Sequence, residues 1–215
     1  MKLLARILAV FFLLITTVSA LGYFFWYKPK FHSGANSFAY TAKKTNEITF
    51  FKLHEKAIAI KEYTRTNSYN TTRCFMADMS LASGRQRFFV YNLQKDSVEK
   101  SGLVAHGSGS DRGGDNLFFS NKPNSYCTSL GKYKIGKSYM GKFGLAYKLY
   151  GLDSTNSKAF ERFVVLHAHS CVPNEEIAPV PLCQSWGCPT VSPDFLQELK
   201  KYIDVSERPI LLWIY

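Results

Sequence analysis

The sequence predicts a mainly β domain, a sandwich of short strands with peripheral helices, standing behind an apolar N-terminal segment. Three observations predict it. Residues 7–27 carry no formal charge, short apolar runs divided by Gly-, Ser- and Asn-rich connections fill the chain from residue 74 onward, and one well-signalled helix follows Ser192. At 215 residues, 46% hydrophobic and 15% aromatic, the chain suits one compact domain plus an appendage, with 17 Phe and 13 Tyr to build a core. That composition excludes a disordered or collagen-like polymer, and the lack of an internal repeat excludes a solenoid.

The N-terminal run follows Lys2 and Arg6 and is stopped by Lys28-Pro29-Lys30. A basic flank before an apolar stretch is an export or anchoring signal. Residues 7–18, closed by Val18-Ser19-Ala20, fit a cleavable signal peptide. The full run to Tyr27 is long enough to span a bilayer, with Tyr23, Phe24, Phe25, Trp26 and Tyr27 as an interfacial belt. Residues 1–30 are therefore assigned as signal peptide or membrane anchor, in the second case touching the cytoplasmic membrane through residues 7–27. The rest of the chain is placed outside the cytoplasm.

Residues 31–38, with Ser, Gly, Asn and His, read as a linker, and residues 37–63 as one or two packing helices. Together they make a 31–73 linker and helical segment ahead of a 74–215 domain. In that domain Cys74-Phe75-Met76-Ala77-Asp78-Met79 and Gln86-Arg87-Phe88-Phe89-Val90-Tyr91 have hairpin length and turn chemistry. Further strands are expected at 103–106, 117–120, 145–150, 163–167 and 210–215. Ser192 is a cap, Pro193 and Asp194 suit a first helical turn, and Phe195, Leu196 and Leu199 form its apolar face.

The 27 Lys and Arg outnumber 16 Asp and Glu, a formal +11. Four of those positive charges lie in residues 1–30, so the remainder keeps +7. The surplus favours acidic partners, but an exported chain without a recognition motif argues against nucleic acid. The five cysteines, Cys74, Cys127, Cys171, Cys183 and Cys188, allow two disulfides at most and leave one thiol over.

Reactive side chains are densest in Arg162-Phe163-Val164-Val165-Leu166-His167-Ala168-His169 and Ser185-Trp186-Gly187-Cys188-Pro189-Thr190-Val191. A thiol becomes a nucleophile when a base draws its proton, and His is the usual partner; His167 ends an apolar strand and can supply that base to Cys188. Gly187 lets another segment approach and leaves backbone N–H groups for an oxyanion. Two other readings rank below this one: a disulfide framework with a passive thiol, then zinc held by His167, His169, Cys171, Cys183 and Cys188, which lacks close CxxC spacing.

These residues resemble the catalytic domain of murein L,D-transpeptidases, the YkuD-like enzymes, in the branch common in Gram-negative envelopes. The resemblance runs from about Phe75 to the C-terminus through Arg87-Phe88-Phe89-Val90-Tyr91, His106-Gly107-Ser108-Gly109-Ser110, Phe119-Ser120-Asn121, Ser129-Leu130-Gly131, Tyr139-Met140-Gly141, Gly151-Leu152 and, most specifically, Ser185-Trp186-Gly187-Cys188-Pro189. It implies a YkuD-like β-sandwich, Cys188 as nucleophile, His167 as base, and Ser185, Trp186 and Gly187 as the oxyanion-supporting turn. It implies a periplasmic enzyme that needs no cofactor or metal and acts on peptidoglycan stem peptides. Cys188 would form an acyl-enzyme with a tetrapeptide stem, release D-Ala and pass the acyl group to an amine, giving a 3-3 cross-link, or to water as an L,D-carboxypeptidase.

Two positions depart from the family's pattern. Trp186 stands where many members have His, and Ala168 stands where Gly is usual, which leaves His169 as an alternative base. The resemblance places His106 either in the cleft or holding the loop of Cys188, with a purely structural role as the alternative; Arg162, with the basic surplus, can hold stem carboxylates, against the reading of a solvated strand end. Cys171 and Cys183 bracket the loop after His169 and are candidates for a disulfide contributing up to about 3 kcal/mol. The alternative from another class is a module that binds peptidoglycan without turning it over.

Overall fold

A computed structural model describes residues 2–27, 34–113 and 116–215. Lys28-Pro29-Lys30 and the start of the expected linker lie outside the described residues. The chain forms two compact units, residues 1–52 and 53–215. In the first, α1 (Lys2–Gly22) continues into a π-helical turn, Tyr23–Tyr27. The 22 residues Arg6–Tyr27 are long and apolar enough to cross a membrane, and none of that stretch is buried. The segment expected as one or two helices is a single one, α2 (Gly34–Thr66), which starts inside the expected linker and runs into the second unit.

The second unit is a nine-stranded sheet: β1 (Arg73–Ala77), β2 (Phe88–Asn92), β3 (Ser97–Gly102), β4 (Val104–Ala105), β5 (Gly131–Gly141), β6 (Gly144–Gly151), β7 (Val165–Ala168), β8 (Thr190–Val191) and β9 (Leu211–Ile214). Their order is β3-β2-β1-β9-β5-β6-β7-β8-β4, antiparallel except for β1 with β9 and β7 with β8. The two edges, β3 and β4, are consecutive in the chain with only Leu103 between them. The sheet therefore curls back on itself until its edges meet, giving the sandwich-like enclosure expected.

Side chains alternate across the pleat, and both faces of the central strands are buried. Phe75, Ala77, Phe88, Val90, Leu212 and Ile214 enter the enclosed core with Tyr133, Leu149 and Leu166. Their neighbours Cys74, Met76, Phe89, Tyr91 and Leu211 face the other way and meet Leu53, Ala57 and Ile60, spaced four and three residues apart on one face of α2. Burial on both faces explains why the β2 sequence reads as a continuous apolar run rather than an alternating one. The capped helix is present as α3 (Pro193–Ile203). Ser192 Oγ accepts from the Phe195 N–H at 3.2 Å, and Phe195, Leu196 and Leu199 join the enclosed core.

The expectation of a strand at 117–120 is corrected. Leu117 and Phe119 do turn inward against the core. The backbone, however, bonds loop segments instead of a ladder, Phe118 N–H to Ser110 O at 2.8 Å and Ser120 N–H to Thr128 O at 3.1 Å. The strands β3, β5 and β8 were not anticipated.

Candidate active site

The turn that carries Cys188 is stapled by its own serine. Ser185 Oγ donates to Cys188 O at 2.6 Å and accepts from the Gly187 N–H at 3.1 Å. The Gly187 N–H is thus engaged within the turn. Gly187 has φ +114°, a conformation that side chains rarely adopt. The His106-Gly107-Ser108 segment supports this turn through Ser185 N–H to His106 O at 2.9 Å and Ser108 N–H to Ser185 O at 2.8 Å. Gly107 lies so close that a Cβ there would stand 2.8 Å from Gly187 Cα.

His167 and Cys188 line one cleft of about 720 Å³. His167 sits on β7 opposite Thr190 of β8 and is 5% exposed. Its ring stacks on Phe143, from the β5–β6 turn, with centroids 4.9 Å apart and planes 20° off parallel. Its Nδ1 is 3.0 Å from Ala168 O, which only accepts, so Nδ1 carries the proton. Nε2 is then the basic nitrogen, and it faces Thr190 Oγ1 at 3.0 Å. The half-buried Cys188 thiol donates to Phe163 O at 3.7 Å. The structure thus brings His167 and Cys188 to one cavity, with the thiol and the basic nitrogen each on another partner.

Burial pushes the Cys188 thiol up from its ordinary range, while a backbone hydrogen bond from Val165 and the Arg162 guanidinium pull it down. Burial holds His167 below its usual value, opposed by the Ala168 carbonyl and aided by His169. At neutral pH these shifts favour an uncharged resting pair.

Arg162 lines the cleft, but its guanidinium is committed to the protein. It donates to Ser120 O at 2.9 Å, Cys127 O at 2.6 Å and the hydroxyls of Ser129 and Ser125 at 3.2 and 3.4 Å. It shapes the wall behind Gly187 rather than offering a free cation to a stem carboxylate. His169 also lines the cleft, exposed, accepting the Cys171 N–H on Nδ1 at 3.1 Å. Trp186 is 77% exposed and meets Tyr126 edge-on at 6.1 Å.

His106 stands behind the cleft instead of lining it. It is buried, and its Nδ1 takes a hydrogen bond from Arg87 Nη2 at 2.9 Å. Arg87, equally buried, also donates to Val104 O and Leu81 O. Burial first, and the neighbouring guanidinium second, hold His106 down at about 4.

The zinc reading is corrected. Cys171 and Cys183 form a disulfide across 12 residues, which removes two thiolates from that donor set. No cluster of three metal-ligating groups occurs among the described residues. The bond lines the cleft and closes the loop between β7 and the Cys188 turn.

Several residues that build the site have no role assigned by the sequence alone. Thr190 and Phe143 contact His167 directly, and Arg87 holds His106. Asn124, Tyr126 and Phe163, all lining the cleft, adopt positive φ of 59°, 54° and 54°. Thr190, Phe163 and Arg87 lie in segments that the sequence singles out, whereas Phe143, Asn124 and Tyr126 reach the cleft only through the fold.

Among solved structures the chain is similar to a variant of the helical cell shape determining protein Pgp2 of Campylobacter jejuni, with 10% identity over 66% of this chain and 46% of that one and a TM-score of 0.45. It is also similar to Bd1075 of Bdellovibrio bacteriovorus (18% identity, 67% and 48% covered, TM-score 0.40). A third is an L,D-transpeptidase of Enterococcus faecium (10% identity, 67% and 50% covered, TM-score 0.41). The chain spans about half the length of these structures. Comparison with curated proteins returns no match. The family model YkuD_2, the L,D-transpeptidase catalytic domain, matches residues 44–215, taking in most of α2, the whole sheet and both segments of the cleft. The chain therefore belongs to the L,D-transpeptidase catalytic domain family.

Proposed function

We propose that the protein is a peptidoglycan-remodelling L,D-transpeptidase of the cell envelope, exported or held at the membrane by residues 1–30, with residues 74–215 as its catalytic part. The observation that carries this reading is the meeting of Cys188, on its stapled turn, and His167, with its unprotonated Nε2 on the Thr190 hydroxyl, in one cleft of a chain of this family. His167 Nε2 takes the thiol proton, and the thiolate attacks the carbonyl between the third residue of a tetrapeptide stem and its terminal D-Ala. A C–S bond forms, and the imidazolium returns the proton to the departing amine as the C–N bond breaks. An amine of a neighbouring stem then attacks the thioester, its proton going to His167 while the thiolate leaves, which makes a 3-3 cross-link. Water in place of the amine gives a carboxypeptidase. The N–H of Cys188 serves the tetrahedral oxyanion.

One observation favours a second reading, a module that binds stems without turnover: burial raises the Cys188 thiol, and its hydrogen bond goes to Phe163 O. Catalytic hydrogen bonds are often loose before substrate binds, so the enzymatic reading stands first. Incubation of the full chain with a disaccharide-tetrapeptide, followed by intact-mass analysis, decides between them. The enzyme acquires an acyl adduct and releases D-Ala, and Cys188→Ala does neither. A folded parent chain that binds the stem with no adduct and no D-Ala establishes the binding module.

A further inference from the structure

We propose that Thr190 is a positioning residue for the base, a hydroxyl that serves His167 in both of its protonation states. The inference rests on the reading of His167 as the base for Cys188. Thr190 is 3% exposed and is held between two neighbours, paired with Ala105 of β4 on one side and His167 of β7 on the other. Its Oγ1 is 3.0 Å from His167 Nε2 and 3.4 Å from Cys188 O. One hydroxyl proton cannot serve both acceptors at once. In the resting state Ser185 Oγ already supplies the Cys188 carbonyl, at 2.6 Å, so the Thr190 proton goes to the bare Nε2.

When Nε2 takes a proton the requirement reverses, because a buried imidazolium needs an acceptor. Thr190 Oγ1 then accepts from Nε2–H and turns its own proton onto the second lone pair of Cys188 O. No heavy atom has to travel, only the hydroxyl proton turns, and the ring is satisfied before and after transfer. The charged state gains more, since a hydrogen bond to an ionised group is about twice as strong as a neutral one. The titratable or charged groups lining the cleft with the ring are Tyr126 before β5, Tyr139 and Lys142 of the β5–β6 hairpin, Glu161 and Arg162 before β7, His169 after it and Cys188 before β8. Substitution of Thr190 leaves all of them in place.

The test is a histidine NMR titration of the full chain as parent, Thr190→Val and Thr190→Ser, each followed by single-turnover acylation with a disaccharide-tetrapeptide. Thr190→Val keeps the shape without the hydroxyl. It lowers the proton affinity of His167 about tenfold, one pH unit in midpoint, and slows acylation about tenfold at unchanged KM, whereas Thr190→Ser retains the parent midpoint and rate. Thr190→Ala replaces Val if the latter does not fold. A midpoint that stays or rises in the hydroxyl-free variant overturns the proposal, as does a Ser variant displaced as far as Val. If the parent does not acylate, the reading of Cys188 and His167 fails by itself, and the titration still decides the role of the hydroxyl.

Discussion

Gly187 lies against the carbonyl of Cys127 so closely that a Cβ would stand 2.8 Å from its oxygen. That carbonyl cannot withdraw, because the Arg162 guanidinium holds it at 2.6 Å. The turn before the thiol is therefore fixed by a backbone contact as well as by its φ of +114°. Gly187→Ala is expected to cost about 2 kcal/mol or more, from the positive φ and the displaced carbonyl together. It should also lower acylation well beyond the fraction unfolded. Thermal unfolding alongside acyl-adduct formation checks this, and a variant with parent stability and rate contradicts it.

The Cys171–Cys183 disulfide closes a loop that is also docked without it. Leu182 N–H reaches Ser83 Oγ at 3.0 Å, Ile177 and Ala178 N–H reach Gly84 O at 2.9 and 3.1 Å, and Gln86 N–H reaches Glu176 Oε1 at 2.7 Å. Replacing both cysteines by serine removes the cross-link over a separation of 12 residues but keeps these anchors. The loss should be about 3 kcal/mol at most, read as a lower urea midpoint. A chain that no longer folds at 25 °C would show that the anchors do not hold alone.

What the sequence made legible follows from how local each signal is. The α3 cap and the β1–β2 hairpin are written in neighbouring residues, and both form as expected. β5 was missed although Tyr133 and Ile135 alternate inward against Lys132 and Lys134, because glycines at 131, 136 and 141 break up the apolar content. β3 was missed because it is an edge strand whose charged Glu99 and Lys100 keep its pattern half exposed. The Cys188 motif and His167 were readable because the motif is contiguous and the histidine ends an apolar run. The stack of Phe143 on His167 was not, since a turn between two strands delivers that ring across the sheet.

Phe163 places a bulky residue at φ +54° with its ring 83% exposed over the cleft. The left-handed conformation costs a non-glycine residue about 1–2 kcal/mol, and strain of this kind gathers at functional sites. Phe163→Gly should leave stability unchanged or raise it by up to about 1 kcal/mol, the relief offset by the entropy of glycine in the unfolded chain. Phe163→Ala keeps the strain and loses the ring. If the ring contacts the stem, both variants raise KM for the acyl donor while kcat changes little, since the Phe163 carbonyl that meets the thiol remains. Unchanged KM in both would remove the ring from the binding surface.

His106 links folding to pH. Buried beside Arg87, it titrates at about 4 in the folded protein against an ordinary value of 6.5. Between those values the unfolded chain binds the proton and the folded chain does not, so stability rises with pH through this window. The contribution is fully present above about 6.5 and is lost as the pH falls toward 4, amounting to up to about 3 kcal/mol. His106→Asn keeps an acceptor for Arg87 Nη2 and removes the titration. Urea unfolding between pH 4 and 7 should then show a shallower pH dependence in the variant than in the parent, with the difference confined below pH 6.5. Parallel curves would mean that His106 takes up its proton without opening the fold, and that the Arg87 contact does not hold it neutral.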